Sequence, residues 1–208
     1  MPHGAVRLAR RPALSHGPVA ARGRPVPHFA EVDLARTQAQ FFHGRTHRAT
    51  LRVAFKGRDA TRTLCIIGQN PSAADERESD KTITFMERFV HRHLPEYGQV
   101  LVLNLFSRVD TKKKVALDPL DPECARIFER EVRAHEDFLV IFGKLADQGA
   151  YRFLDRARQV RAMLAGKDVR KLDLGTSYAP HPGNIRIFYR NFDVGLDRYA
   201  FADVDEPA

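Results

Sequence analysis

The chain has 208 residues, enough for one domain with its own core, and its composition excludes several classes of protein. No stretch approaches the roughly 20 apolar residues that a membrane span requires, so we expect no membrane association. The two cysteines are too few for a disulfide framework or an iron–sulfur cluster, which favours a reducing compartment and a cytoplasmic location. None of the nine His has the spacing of a metal site, so we predict no metal and no cofactor.

The net charge of +8 and the isoelectric point near 9.8 indicate an acidic partner such as nucleic acid, but the charge is unevenly distributed. The first 30 residues hold five Arg and no acidic residue, which leaves about +3 on residues 31–208. We predict a disordered basic tail over residues 1–29 and a single domain over 30–208, and we expect a monomer. The tail fits either a phosphate-binding arm or a solvated end of the chain.

The first predicted element is a short helix over residues 32–42, where six apolar residues can share one helical face. Residues 49–55 alternate apolar and polar side chains, as a strand does, and a turn at 56–59 joins them to the next strand as an edge hairpin. Residues 63–71 read TLCIIGQNP, an apolar run ended by Gly and Pro, which predicts a buried central strand followed by a tight loop. That loop is either an ordinary turn or part of a site.

The rest of the chain alternates helices with apolar strands, in the order helix 79–94, strand 100–105, helix 121–135, strand 138–142, helix 145–164 and strand 170–174. Strands that alternate with helices form a parallel sheet with right-handed crossovers. The loops at 69–70, 104–106 and 181–182 then fall at one edge of the sheet. Their convergence predicts a functional site there.

Each polar residue at this edge has two interpretations, one structural and one as part of a binding site. Asn104 stands in an otherwise apolar strand, where a buried amide must hydrogen-bond either to the backbone or to a ligand. The three lysines in the loop that follows could hold a phosphate backbone, or they could belong to a solvated loop.

Several short motifs carry a resemblance to a known family. They are the segment NPSAAD at 70–75, Asp80, Thr82, the segment NLF at 104–106, and His181 with Pro182. Together they resemble the bacterial and phage family called domain of unknown function 1643, over roughly residues 50–185. The label of that family implies no activity.

A more distant resemblance does imply an activity. The segments GQNP at 68–71, VLN at 102–104, IFGKLADQG at 141–149 and HP at 181–182 are similar, in the same order, to motifs of the uracil-DNA glycosylase superfamily. The resemblance implies a three-layer α/β/α fold around a mostly parallel four-stranded sheet, here with the N-terminal edge hairpin added. It also implies hydrolysis of an N-glycosidic bond in DNA, single- or double-stranded.

The resemblance assigns roles to individual residues. Such an enzyme extrudes a base from DNA and reads its edge with an amide, which would be Asn104. His181 would stabilise the departing anion, and Asn70 would position water. The implied substrate-binding set is Gly68, Gln69, Pro71, Ser72, Asp75, Asp80, Asn104 and Phe106, and the expected DNA-binding set is Lys112, Lys113, Lys114, Pro182, Gly183 and Asn184.

The chain also departs from the superfamily pattern. Asn70 stands where the fastest branches have Asp, and an amide cannot accept a proton at neutral pH. Asp75 or Asp80 could supply the missing carboxylate, or each could cap the following helix. Phe106 could stack on a base or belong to the core.

Three functions stay open at this point. The first is a glycosylase acting on uracil or another modified base in DNA. The second is a non-catalytic module that recognises a nucleic acid or a modified base, and the third is an enzyme acting on a free nucleoside or nucleotide. The sequence does not rank the target bases.

Overall fold

A seven-stranded mixed sheet, with helices packed on both faces, forms the centre of this α/β fold. The computed structural model describes residues 25–110, 119–189 and 193–205. Its strands are β1 (Val26–Pro27), β2 (Val32–Phe42), β3 (His47–Phe55), β4 (Thr63–Gly68), β5 (Glu78–Ser79), β6 (Gln99–Asn104), β7 (Asp137–Val140), β8 (Asp168–Leu172) and β9 (Leu196–Arg198). Its helices are α1 (Lys81–His93), α2 (Pro122–Ala134), α3 (Phe153–Met163), α4 (Ile185–Tyr189) and α5 (Ala202–Asp205).

The large sheet has the order β2-β3-β6-β4-β7-β8-β9. Its four central strands, β6, β4, β7 and β8, are parallel, as the alternation of strands and helices predicts. The sheet nevertheless has seven strands rather than the expected four, because β2 and β3 extend one side and β9 the other, all through antiparallel pairing. The parallel strands therefore lie inside the sheet, where both of their faces can be covered.

Side chains that alternate along the central strands divide the core into two layers. Cys65 and Ile67 of β4 face a cluster that includes residues of α2 and α3. Leu64 and Ile66 face the opposite cluster, which includes the buried side of α1. Both faces of these strands are thus apolar, and a continuous apolar run is the pattern that such a strand requires.

The predicted helix over residues 32–42 is wrong, because this segment is the strand β2. β2 pairs antiparallel with β3 through a turn in which His43, Gly44 and Arg45 all have positive φ. The apolar residues of β2 can be placed on one helical face, but Leu34 is 52% exposed in the strand. Pairing with β3 therefore overrides the helical spacing, and a local pattern does not report a distant partner.

The predicted edge hairpin also needs correction. Residues 49–55 are part of a strand, but β3 is the second strand from the edge and pairs with β6, not with β4. The hairpin at this edge is formed by β2 and β3 instead. Its effect is to place the start of β3 beside the end of β6.

The helices follow their predicted signals where a capping residue is present. Asp80 caps α1 by accepting a hydrogen bond from the Ile83 amide at 2.8 Å, and Asp121 caps α2 in the same way. The predicted helix over 145–164 is too long, because α3 begins only at Phe153. Gly149 has a positive φ in a turn closed by the Gln148–Tyr151 bridge. This turn interrupts the predicted helix, and helical structure begins only after it.

The N-terminal boundary of the domain lies earlier than predicted. Val26–Pro27 pairs with Glu78–Ser79, and His28 is buried against Glu87, so residues 26–29 belong to the fold rather than to a tail. The rest of the predicted basic tail, residues 1–24, lies outside the described residues. Across the described ranges, no helix combines the length and the hydropathy needed to cross a membrane.

The buried His28–Glu87 pair predicts a pH-dependent stability. His28 Nδ1 lies 2.6 Å from Glu87 Oε1, and its Nε2 lies 2.8 Å from the Asp75 carbonyl oxygen, so both ring nitrogens face acceptors. Burial lowers the pKa of His28, but Glu87 and the Asp75 carbonyl outweigh this effect, and the pKa is raised above its ordinary value. The pair therefore stabilises the fold fully below about pH 6.5, and this contribution is lost as the pH rises through the folded-state pKa.

We expect His28→Gln to lower the free energy of unfolding by about 3–5 kcal/mol below pH 6.5, and by less at pH 8. Urea unfolding of the two proteins across this pH range measures the difference. His93→Gln is the matched control, since His93 is an exposed residue of α1. A loss that does not change with pH would show that His28 contributes packing alone.

Candidate functional site

The carboxyl ends of β4, β6 and β7 open into a cleft of about 470 Å³. This location confirms the predicted convergence of three loops, because Gln69, Asn104 and His181 all line it. The polar lining consists of Arg48, Gln69, Asn70, Ser72, Asp80, Thr82, Asn104, Asp110, Lys144 and His181. A cleft with this many converging polar groups at the end of a parallel sheet is where such folds bind ligands.

Asn70 is the most unusual of these residues. Its side-chain Nδ2 and Oδ1 are both buried, and neither has a partner in hydrogen-bond geometry among the described residues. Because buried polar groups in folded proteins are nearly always hydrogen-bonded, this amide indicates a partner outside the described residues. The cleft that it lines is where that partner would bind.

Gln69 holds the loop in place rather than facing a ligand freely. Its Nε2 donates to the Phe142 carbonyl at 2.6 Å and to the Lys144 carbonyl at 3.3 Å. These bonds join the end of β4 to the segment after β7. The position of the neighbouring Asn70 is therefore fixed from both strands.

The Asn104 side chain is oriented by a residue that the sequence analysis did not select. Arg48, on β3, is 2% exposed and donates from Nη2 to Asn104 Oδ1 at 3.3 Å. Gly68 lies beside Asn104 in the parallel pairing, and a Cβ on Gly68 would stand 2.9 Å from Asn104 Nδ2. Glycine at this position leaves room for the amide.

His181 reaches the cleft from the loop before α4. The Gly183 backbone N–H donates to His181 Nδ1 at 3.0 Å, and Nε2 lies 3.5 Å from Thr82 Oγ1. Because a backbone N–H can only donate, Nδ1 must be the acceptor, and the proton of the neutral ring is on Nε2. The side of the ring toward Thr82 and the cleft is therefore a hydrogen-bond donor.

Two candidate carboxylates have different positions. Asp80 lines the cleft, and its Oδ1 accepts the capping bond of α1. Asp75 is not among the lining residues, and it accepts bonds from the amides of Arg77 and Glu78 and from the Arg45 guanidinium. Burial raises the pKa of Asp75, but these donors outweigh burial and lower it. Asp75 thus organises its loop, and of these two carboxylates only Asp80 lines the cleft.

A third carboxylate, Asp110, lines the cleft from the loop after β6. It is 5% exposed and accepts a hydrogen bond from the Tyr151 hydroxyl at 3.0 Å. Burial, together with Asp110, raises the pKa of Tyr151, and the charge of Arg108 and the side chain of Asn70 oppose that rise. Asp110 and Tyr151 therefore form a hydrogen-bonded pair behind the cleft, near Asn70 at the end of β4.

The segment that builds this cleft is also the segment that a family model recognises. Residues 48–183 match the family described as "Protein of unknown function (DUF1643)". The chain belongs to this family. No curated protein and no solved structure matches the chain. The DUF1643 match starts at Arg48 and ends at Gly183, so it includes every residue that lines the cleft.

Several predicted site residues of the DUF1643 segment have structural contacts instead. Phe106 is 5% exposed in the core, where it packs edge-to-face on Tyr151 and Phe153, so it does not lie in the cleft. Pro71 and Pro182 are buried. Ser72 lines the cleft and accepts a bond from the Ala74 amide at 3.1 Å.

The predicted DNA-binding residues are only partly described. Gly183 orients His181, and Asn184 Oδ1 accepts a bond from the Arg186 amide at the start of α4. Lys112, Lys113 and Lys114 lie outside the described residues. Across the described part of this DUF1643 chain, no group of three or more His, Cys, Asp or Glu side chains is placed to hold a metal ion.

Three charged lining residues were missed by sequence reasoning. Arg48 and Asp110 are single charged residues without a motif around them, and only the tertiary fold buries them at the cleft. Lys144 lines the cleft with its ammonium near the Tyr178 ring, and it follows a glycine after an apolar strand. That position at a strand end is the one signal that could have identified a site residue in advance.

Proposed function

We propose that the chain hydrolyses the N-glycosidic bond of a nucleobase, uracil or another modified base, in DNA. The observation that carries the proposal is the buried Asn70 amide, which lacks a hydrogen-bond partner among the described residues and lines a cleft with Asn104 and His181. These three residues occur in the motifs that resemble the uracil-DNA glycosylase superfamily. The resemblance suggested their roles, and their shared cleft supports it.

The dimensions and chemistry of the cleft suit a base. Its volume of about 470 Å³ falls within the range of small-molecule sites, roughly 300–1,000 Å³. An amide group such as that of Asn104 matches the donors and acceptors on the edge of a base. The four central parallel strands are also compatible with the fold that the resemblance implies.

The proposed reaction uses His181 at the base. As the bond between the base nitrogen and the sugar carbon breaks, its electron pair moves to the base, which becomes an anion. His181 Nε2–H then stabilises the anion by donating a hydrogen bond to it. A neutral His suits this role because its donor is fixed by the Gly183 amide before the substrate binds.

Water supplies the group that replaces the base. Its oxygen bonds to the sugar carbon, and its proton must pass to an acceptor. Asn70 can hold the water but cannot accept the proton. Asp80 lines the same cleft, and the capping bond from Ile83 holds its carboxylate in place. We therefore assign proton acceptance to Asp80.

Oligonucleotides that each carry one uracil, hypoxanthine or hydroxymethylated base test the proposal. The full chain is incubated with single- and double-stranded forms, and alkali then cleaves any abasic site. We expect strand cleavage at one of these bases, together with release of that free base. Absence of cleavage on every substrate contradicts the glycosylase proposal.

A second candidate is a module that binds a modified base without hydrolysis. It is favoured by Asn70, because the fastest branches of the superfamily have a carboxylate at this position. Tight binding to one oligonucleotide without release of a base would support it. Hydrolysis of a free nucleoside with equal efficiency in the absence of DNA would instead support an enzyme acting on small molecules.

A further inference from the structure

A buried guanidinium lies behind the residue that is proposed to read the base. Arg48 donates from Nη1 to the Ala74 carbonyl at 3.0 Å and from Nη2 to Asn104 Oδ1 at 3.3 Å. Burial lowers the pKa of Arg48 to about 10, and the carboxylates of Asp80 and Asp75 oppose this effect. Arg48 therefore stays charged at neutral pH and remains a donor.

This contact fixes the orientation of the Asn104 amide. A guanidinium has only donors, so the Asn104 atom that faces it must be the oxygen, Oδ1. The other amide atom, Nδ2, then lies toward Gly68 at the end of β4, where both residues line the cleft. No described residue accepts a hydrogen bond from Asn104 Nδ2. This nitrogen is also absent from the set of fully buried side-chain atoms without a partner, so it is not fully buried. The NH₂ group is thus available in the cleft.

We propose that Arg48 is a positioning residue that makes the cleft selective for bases that present a carbonyl oxygen at this point. The inference rests on the proposed function, because it takes a nucleobase as the occupant of the cleft. An unrestrained Asn can turn over and offer either NH₂ or C=O. With Arg48 in place, Asn104 offers NH₂ toward the ligand.

The consequence is a preference between two classes of base. A carbonyl oxygen, as in uracil or hypoxanthine, accepts the bond from Asn104 Nδ2. An amino group at the same place, as in cytosine or adenine, is itself a donor, so two donors face each other and the bond is lost. Uracil and cytosine have almost the same shape, so a comparison between them isolates this one contact.

Titration of the full chain with free uracil, cytosine, hypoxanthine and adenine, followed by NMR, tests the inference without requiring hydrolysis. We expect the unmodified protein to bind uracil about 10-fold to 100-fold more tightly than cytosine. Arg48→Met removes the donors while keeping much of the side-chain volume, and the ratio should fall toward one. Arg36→Met is the matched loss of charge, since Arg36 is exposed on β2, and it should leave the ratio unchanged.

A second variant covers the case in which Arg48→Met does not fold. Asn104→Asp keeps Arg48 and replaces the NH₂ group by an oxygen that only accepts, so the preference should move from uracil to cytosine. Equal binding of uracil and cytosine by the unmodified protein overturns the inference. A uracil preference that survives either Arg48→Met or Asn104→Asp also overturns it.

The outcome separates this inference from the glycosylase proposal. A uracil preference that depends on Arg48, without cleavage of any oligonucleotide, would support the positioning role and contradict hydrolysis. Cleavage without any preference between uracil and cytosine would contradict the positioning role alone. If none of the four free bases binds and no oligonucleotide is cleaved, both proposals fail.

Discussion

Replacing His181 by Ala is expected to lower the turnover of the glycosylase reaction by about 10²–10³-fold on every substrate base. The variant removes the Nε2–H donor that the Gly183 amide fixes on the side of the ring toward the cleft. This donor acts on charge that develops as the bond breaks, and that charge is absent before the reaction. Preference between bases and affinity for DNA should therefore stay almost unchanged. Single-turnover kinetics and equilibrium binding of the same oligonucleotides measure the two quantities separately.

His181→Gln is the matched variant, because its side-chain amide can still donate toward the cleft and should restore part of the turnover. The loop itself keeps a backbone bond that does not depend on the side chain, from the Asn184 amide to the His181 carbonyl at 2.8 Å. If both variants have a lower melting temperature and also lose binding and turnover, then His181 is a structural residue of the loop instead.

The parts of the fold that could be predicted from sequence are those with a local cause. The run at 64–67 is apolar on both faces because β4 is covered on both sides, and Asp80 and Asp121 each start a helix with a capping side chain. The central strands and these two helices accordingly end within two residues of their predicted bounds. The edge at which Asn70, Asn104 and His181 meet follows from the parallel order of those strands.

The parts that could not be predicted depend on distant partners. β2 is a strand because its backbone hydrogen-bonds to the backbone of β3, although its apolar spacing also fits a helix. Arg48 resembles any other charged residue of a strand until β3 places it beside the end of β6. Asp75 and Asp80 are equivalent by sequence, and only their contacts separate a loop-organising carboxylate from one that lines the cleft.

Asp80 is the residue whose replacement gives the sharpest test of proton acceptance. Asn is as good a helix N-cap as Asp, so Asp80→Asn should keep the bond from the Ile83 amide and leave α1 intact. The variant nevertheless cannot accept a proton from water at neutral pH. We expect turnover to fall by about 10²–10⁴-fold, with little change in melting temperature or in affinity for the base.

Asp75→Asn is the matched control, since Asp75 lies just before β5 and Asp80 just after it. It weakens the contact with the Arg45 guanidinium, 2.6 Å away, but Asp75 does not line the cleft, so turnover should be unchanged while the melting temperature falls slightly. The two variants should therefore change different quantities: Asp80→Asn lowers turnover, and Asp75→Asn lowers stability. If Asp80→Asn keeps full turnover, then Asp80 only caps α1, and proton acceptance must be assigned to Asp110, the other carboxylate that lines the cleft within the described residues.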